Sequence, residues 1–386
     1  MSNDRRRIES LDLIRGVAIL GILLMNIVSM AAPWVAYYVP DWYEGAGQVD
    51  QGIYVVQSLL VESRFLSLFA LLFGAGLAIQ TDSFSSRGLA PGRWIRRRLA
   101  WLLIFGLIHG FLIWYGDILT LYAVAGLLVS GWGHWPVRRM VVVGLALFLL
   151  GQLALLSAFL GSLLSGENIM ALPELPYSGE EIAALRETWT GAFSRLEANG
   201  ELFIETLVAF PLTLVWHAAS LMLFGMALYR SGFFENRNAW KRALPLLAVG
   251  LTLAGALLVL RYRLGVGSSA SYATMSMMMI PGILMALGYA SLMVPLADSD
   301  RLLIRLLKSA GRSAFTLYIA QSVVMVALFT LVAPGLWGSL GRGALWLIVA
   351  GFSVLQLIGA RIIEGTSGRG PMETLWRKLA YRKLQK

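Results

Sequence analysis

The chain has 386 residues, of which 58% are apolar and only 14% charged, against about 25% charged in an ordinary soluble domain. A soluble fold of that composition would expose apolar side chains over most of its area, which excludes a soluble enzyme, a disordered chain and a nucleic-acid binder despite the net charge of +10. With no cysteine and three histidines (His109, His134 and His217), disulfides, thiolate chemistry and a His-rich metal centre are excluded as well.

The chain opens with Arg5, Arg6 and Arg7 before an apolar stretch over 11–32. The outline is that of a secretory signal, but the stretch is longer than the apolar core of such signals and carries Asp12, Arg15 and Asn26, so it is expected to remain as a first membrane span. Further apolar runs follow near 52–80, 97–115, 118–133, 139–165, 206–229, 243–263, 273–297, 311–334 and 343–364, making ten expected spans and an all-α, polytopic helix bundle. Lys and Arg then divide unevenly between the two sides. The amino terminus, the loops at 81–98, 134–139, 230–242 and 298–312, and the tail after 364 hold 24, whereas the opposite side holds 5. The positive-inside rule therefore predicts that both termini are cytoplasmic.

Residues 1–364 are read as the bundle and 365–386 as a basic amphipathic cytoplasmic tail, with Met372, Leu375, Trp376 and Leu379 at helical spacing, lying on the inner leaflet. One long loop, 166–205, falls on the external side. Its Ser178-Gly179-Glu180-Glu181 predicts a helix cap opening an amphipathic helix through Leu196, placed to cover an external cavity. The aromatic residues of 33–50 read as an interfacial belt.

Polar groups inside spans are costly, so function is sought among them. Asn26 lies eleven residues beyond Arg15, and His109 eleven beyond Arg98, which puts both roughly 16 Å above the basic side. His217, about 20 Å up, and Gln321, about 13 Å up, are expected in the same layer. His109 precedes Asp117 by eight residues, about 12 Å of helix, so the two meet only if the helix ends or bends first, as Gly116 permits. Such a pair would serve as a general base; alternatively, Asp117 only caps the next helix and His109 only bonds a neighbour. Asp12 and Arg15, three apart, form either an edge anchor or a holder of an anionic cofactor. Arg64, two residues from Glu62 and thus on another face, needs a carboxylate partner or an anionic ligand.

Several runs resemble the YeiB family of bacterial inner-membrane proteins: Leu11-Asp12-Leu13-Ile14-Arg15-Gly16 through Asn26, Arg64-Phe65-Leu66-Ser67 through Gly76, His109 through Asp117, Gly311-Arg312-Ser313-Ala314-Phe315-Thr316-Leu317-Tyr318, and Gly370-Pro371-Met372-Glu373 through Arg377. That family is similar to transmembrane acyltransferases of the heparan glucosaminide acetyltransferase type. This resemblance implies a bacterial inner-membrane enzyme that takes an acyl group from cytosolic acyl-CoA to a hydroxyl or amine acceptor on the far side, such as a sugar or lipid-linked glycan. Asp12, Arg15, Gly16 and Asn26 match the opening of the lysosomal enzyme, whose Asn here lies in the active site. Its catalytic histidine falls where this chain has Tyr37, a departure that means either that the base has moved to His109 or that the acyl-transfer reading does not hold.

The resulting expectation assigns His109, Asp117 and Asn26 to catalysis and Arg15, Asp12, Arg64, Tyr318 and Gln321 to acyl-CoA, with no metal. Asn26 and His109 should face one cavity, with Asp117 at its external rim. Membrane lipids and the external acceptor are the expected partners; nucleic acid is not, and homo-oligomerisation stays open. The alternatives are a proton-coupled transporter using His109, Asp117, Arg64 and Glu62, or a non-catalytic membrane scaffold.

Overall fold

The computed structural model describes residues 8–165, 175–209, 214–266 and 268–382. It is an all-α bundle, and among the described residues strand-like pairing is limited to one isolated bridge, Tyr43 to Tyr177. The helices are α1 (Glu9–Ala31), α2 (Gln48–Leu60), α3 (Arg64–Ser85), α4 (Pro91–Leu112), α5 (Leu119–Val129), α6 (Val137–Ser165), α7 (Gly179–Thr190) and α8 (Ala192–Ala209). They continue with α9 (Leu214–Arg230), α10 (Ala243–Arg263), α11 (Ser269–Met277), α12 (Met279–Leu296), α13 (Leu302–Arg312), α14 (Ala314–Ala327), α15 (Arg342–Thr366) and α16 (Pro371–Tyr381).

Among the described residues seven stretches are long and apolar enough to cross a membrane, and eight if α8 and α9, bent by 65°, form one broken span. Being apolar all round, a span can be either central or lipid-facing, and burial separates the two cases. The apolar window of α1 is 67% buried whereas those of α6, α10 and α15 are 17%, 22% and 22% buried, so α1 is the central helix and the others are rim helices. Close packing at α1 depends on two glycines: a Cβ on Gly16 would overlap the Leu307 carbonyl, and one on Gly311 the Asp12 carbonyl, where α1 crosses the amphipathic α13.

Three expected spans differ in build. The second run is divided at Val61–Ser63 into α2 and α3, with Ser63 in the left-handed region at φ 62°. The eighth divides at Met278 into α11 and α12. The fourth, α5, has only 11 residues, about 16 Å of helix and so half a hydrocarbon layer. It forms a hairpin with α4 that leaves the parity of the other spans unchanged.

Contacts sort the loops onto two faces. Arg230 pairs with Asp82 at 2.6 Å and donates to the Gly133 carbonyl, Arg237 pairs with Asp298, Lys308 with Glu9 at 2.7 Å, and Arg312 with Asp12 at 3.5 Å. These contacts, with the bond from Arg97 to the Leu379 carbonyl at 3.1 Å, gather the basic loops and both described ends on one face. On the other, Arg186 donates to the Trp337 carbonyl at 2.7 Å, Gly338 to the Ala31 carbonyl at 2.7 Å and Tyr177 to the Trp42 carbonyl at 2.9 Å.

The long loop folds as expected at its start. Ser178 and Glu181 form a reciprocal capping box, but α7 ends at Thr190 rather than 196, and a second helix, α8, follows after Gly191. Hydrogen bonds from the Ser178 backbone and then its hydroxyl hold the Glu181 carboxyl below its usual range. The part of the loop at 166–174 lies outside the described residues. The tail helix α16 does not simply lie on a leaflet. Its Trp376 is buried, donates to the Arg98 carbonyl at 2.8 Å and lies under the Arg98 guanidinium at 3.8 Å, so its apolar side is docked on α4.

Candidate functional site

The site begins where α4 stops. After Leu112 the chain turns through Ile113–Asp117, and the turn carries Asp117 back to the helix it left: His109 Nδ1 and Asp117 Oδ1 are 2.9 Å apart. The other oxygen, Oδ2, accepts from the Thr120 backbone N–H at 2.7 Å, capping the first turn of α5. The two readings of Asp117, cap and histidine partner, are thus both realised, one on each oxygen. Gly106 makes the approach possible, because a Cβ there would stand 2.5 Å from Thr120 N and 2.9 Å from Asp117 Oδ2.

The carbonyls at the end of α4 have no helical partners and must be satisfied from elsewhere. Helix α8 supplies the donors. Asn199 Nδ2 reaches the Gly110 and Phe111 carbonyls at 2.8 and 2.9 Å, and Arg195 reaches Ile113 at 3.0 Å and Leu112 at 3.3 Å. Helix α8 therefore covers the His109 turn. Sequence reasoning missed Asn199 and Arg195, whose only signal was two polar residues four apart on a helix with no other assigned role.

His109 is 1% exposed and Asp117 3%. Since a carboxylate only accepts, Nδ1 is the donor of this contact, and in a neutral ring the lone pair is then on Nε2. Nε2 has no hydrogen-bond partner among the described residues. The imidazole packs against Tyr318, ring centroids 5.1 Å apart, and the Tyr318 hydroxyl accepts from the Ile118 N–H at 3.2 Å. Tyr318 in turn forms part of the wall of a cavity of about 340 Å³. Most of this wall is apolar, including Phe69, Phe73, Leu102 and Tyr122, and Arg15, Arg98 and Arg312 also line it. Glu373 and Trp376 of α16 contribute to the same wall. Glu373 also accepts from the Phe315 and Thr316 N–H groups at 2.7 and 3.2 Å, closing the first turn of α14.

The remaining expected residues distribute as follows. Arg15 and Asp12 form their ion pair at 3.5 Å, and Arg15 reaches the cavity. Asn26 is half-buried and makes no hydrogen bond to His109, so the structure joins His109, Asp117 and Tyr318 but does not join Asn26 to them. Neither Asn26 nor His109 is among the residues that wall this cavity. Gln321 donates to the Ile19 carbonyl at 2.9 Å and to Gln356 at 3.0 Å, tying α14 to α1 and α15 away from the cavity. Its contact sets it level with Ile19, seven residues or about 10 Å below Asn26, so the expected single polar layer is not formed. The physical reason is that reach along a helix, not distance from a flanking arginine, sets height once spans begin at different levels. His217 packs edge-on against Phe148 of α6, ring centroids 5.1 Å apart, and His134 is exposed in its loop. Arg64 lies at the break between α2 and α3, fully buried. Among the described residues no group of His, Asp and Glu is placed to hold a metal ion.

Residues 228–383 match a family described as a protein of unknown function (DUF418). The chain is 32% identical over 398 residues to the uncharacterised protein YeiB of Escherichia coli (strain K12), covering 97% of this chain and 96% of that one. It is also 25% identical to the uncharacterised protein YxaH of Bacillus subtilis (strain 168), over 97% of this chain and 94% of that protein. An uncharacterised 39.9 kDa protein of Bacillus acidopullulyticus is 28% identical over 97% of this chain and 94% of its own. No solved structure matches. Near-complete coverage at this identity to a named relative, together with the family match over 228–383, leads to one conclusion: the chain belongs to the YeiB family.

Proposed function

We propose that the protein is a membrane acyltransferase that moves an acyl group from acyl-CoA on the basic, cytoplasmic face to a hydroxyl or amine acceptor from the other side. The observation that carries the reading is the buried His109–Asp117 pair, with an unpartnered Nε2, beside a largely apolar cavity bearing three arginines. Such a cavity suits an amphiphile with an apolar chain and an anionic head. Asp117 fixes the tautomer and the ring plane of His109. Nε2 takes the proton of the acceptor as its oxygen or nitrogen attacks the thioester carbonyl, and returns it to the departing thiolate. Arg15 meets donor phosphates, and Tyr318, between His109 and the cavity, positions the thioester. Asn26 would act as an oxyanion donor only in a bound state that brings it to the carbonyl.

Full burial of the pair also supports a second reading, proton-coupled transport, in which His109 and Asp117 pass a proton without covalent chemistry. Purified full-length protein supplied with radiolabelled long-chain acyl-CoA and membrane glycolipid extract tests the first reading. Labelled acceptor that appears with wild type and disappears with His109→Ala supports transfer. Intact acyl-CoA with wild type, alongside a His109-dependent proton flux in proteoliposomes, supports transport.

A further inference from the structure

Glycine in a helix interior is destabilising beside alanine, and its use there is to let something approach the backbone closely. Helix α3 carries two, Gly74 and Gly76. Gly74 has its reason inside the fold, because a Cβ there would overlap the Met222 carbonyl of α9. Gly76 has no such neighbour: among the described residues a Cβ there meets no atom within 4 Å. It lies instead on the wall of the 340 Å³ cavity. The other glycine on that wall, Gly311, is packed against the Asp12 carbonyl. At Gly76, therefore, the missing side chain leaves open space rather than a protein contact.

The position of that space along the cavity follows from α3. Phe69, Phe73, Gly76 and Gln80 recur at helical spacing and form one stripe of the wall, about 16 Å long. At the cytoplasmic end of the stripe, Arg98 donates to the Tyr381 hydroxyl at 3.4 Å, and that hydroxyl donates to Gln80 at 3.4 Å. Toward the other end, the Phe73 ring lies 5.6 Å from that of Tyr122, and Tyr318 of the same wall meets His109. Gly76 stands between the two, about 6 Å along the helix from Gln80 and about 4.5 Å from Phe73.

We propose that Gly76 is a specificity-determining residue, whose bare backbone leaves room for the neutral arm of a coenzyme A thioester to run from the arginine end of the cavity toward His109. The inference rests on the acyl-donor reading of this cavity and names the section of the donor that passes one residue. That arm joins the anionic head to the thioester and is the same whatever acyl group is carried. A larger side chain at 76 would fill apolar space without displacing protein atoms, so it should leave the fold as stable as before, or more so, while obstructing the donor. A glycine needed for packing behaves otherwise, since Gly74→Ala would push against Met222.

Purified full-length wild type, Gly76→Ala, Gly76→Leu and Gly255→Leu are compared by unfolding temperature and by equilibrium dialysis of two thioether analogues, of acetyl-CoA and of a long-chain acyl-CoA. Gly76→Ala should unfold about 1–2 °C above wild type, and Gly76→Leu no lower than wild type. Gly76→Leu should bind both analogues about tenfold or more weakly, to the same degree for each, whereas Gly255→Leu binds as wild type does. Wild type that binds neither analogue refutes the donor reading and this assignment with it. Wild-type binding that Gly76→Leu shares overturns the assignment of Gly76 alone, as does a loss that grows with acyl length, which puts the acyl chain at this position. If Gly76→Leu unfolds below wild type, Gly76→Cys decides, because the chain has no other cysteine. The acetyl-CoA analogue should slow its reaction with N-ethylmaleimide about tenfold; a rate that the analogue leaves unchanged, zero included, overturns the assignment.

Discussion

Asp117 returns to within 2.9 Å of His109, eight residues earlier in the chain, and does so while its second oxygen caps the helix that follows. Asp117→Asn should therefore keep the cap but lose the histidine partner. Acyl transfer is expected to fall about 100-fold or more, with the unfolding temperature nearly unchanged. Asp117→Ala loses both, and should cost a further ~1 kcal/mol or more through the missing cap. Thermal unfolding of the two variants beside the transfer assay separates the functions; equal destabilisation by both would contradict the division of labour.

Gly106→Ala places a methyl against the Thr120 N–H and Asp117 Oδ2. Overpacking of this kind costs about 1–3 kcal/mol and displaces the start of α5. Activity should drop with stability, whereas Gly255→Ala, which meets nothing within 4 Å, should change neither. Wild-type turnover in Gly106→Ala would show that the start of α5 has room to shift without cost.

Arg15→Lys keeps the charge at the cavity but not the fork. Binding of acyl-CoA, read by equilibrium dialysis with a non-hydrolysable analogue, should weaken about tenfold. Equal affinity would leave Arg15 as an edge anchor paired with Asp12.

A reporter active only outside the cytoplasm should be silent when fused after Lys386 and active when inserted near Gly179. The contacts already put α16 and α7 on opposite faces, since α16 joins α4 and α14 whereas α7 reaches Trp337. An active carboxyl-terminal fusion would reverse the sidedness inferred from the basic loops.

Lowering pH should loosen α7. The Glu181 carboxyl is held below its usual range by Ser178, so its folded value is depressed; its stabilisation is present above the unfolded value and is lost as pH falls through the folded one. Trp189 of α7 stacks on Trp337 with ring centroids 6.1 Å apart. The near-ultraviolet dichroism of that stack should fade on acidification in wild type and already be diminished in Ser178→Ala. A signal that titrates identically in both would remove the capping box as the cause.

The all-α bundle, the parity of its faces and the capping box at Ser178 were legible in the sequence because each is a local property. Run length, loop charge and a four-residue motif need no knowledge of what packs where. The His109–Asp117 pair was half legible: the spacing and Gly116 allowed a return, but only the turn after Leu112 made one. What the tertiary structure alone decided is what each polar residue faces. Helix α5 was expected as a full span and is half of one, because apolar content does not reveal where the cover of α8 replaces lipid. Tyr318 meets His109 while Gln321, one turn on, is consumed by Ile19 and Gln356, since residues a turn apart can face different neighbours according to how helices are rotated. Arg64 had no visible partner in sequence because those around it come from α12 and the break beside it. Membrane helices show their length and polarity in sequence; their rotation about their own axes is set by packing, and that rotation is what assembles a site.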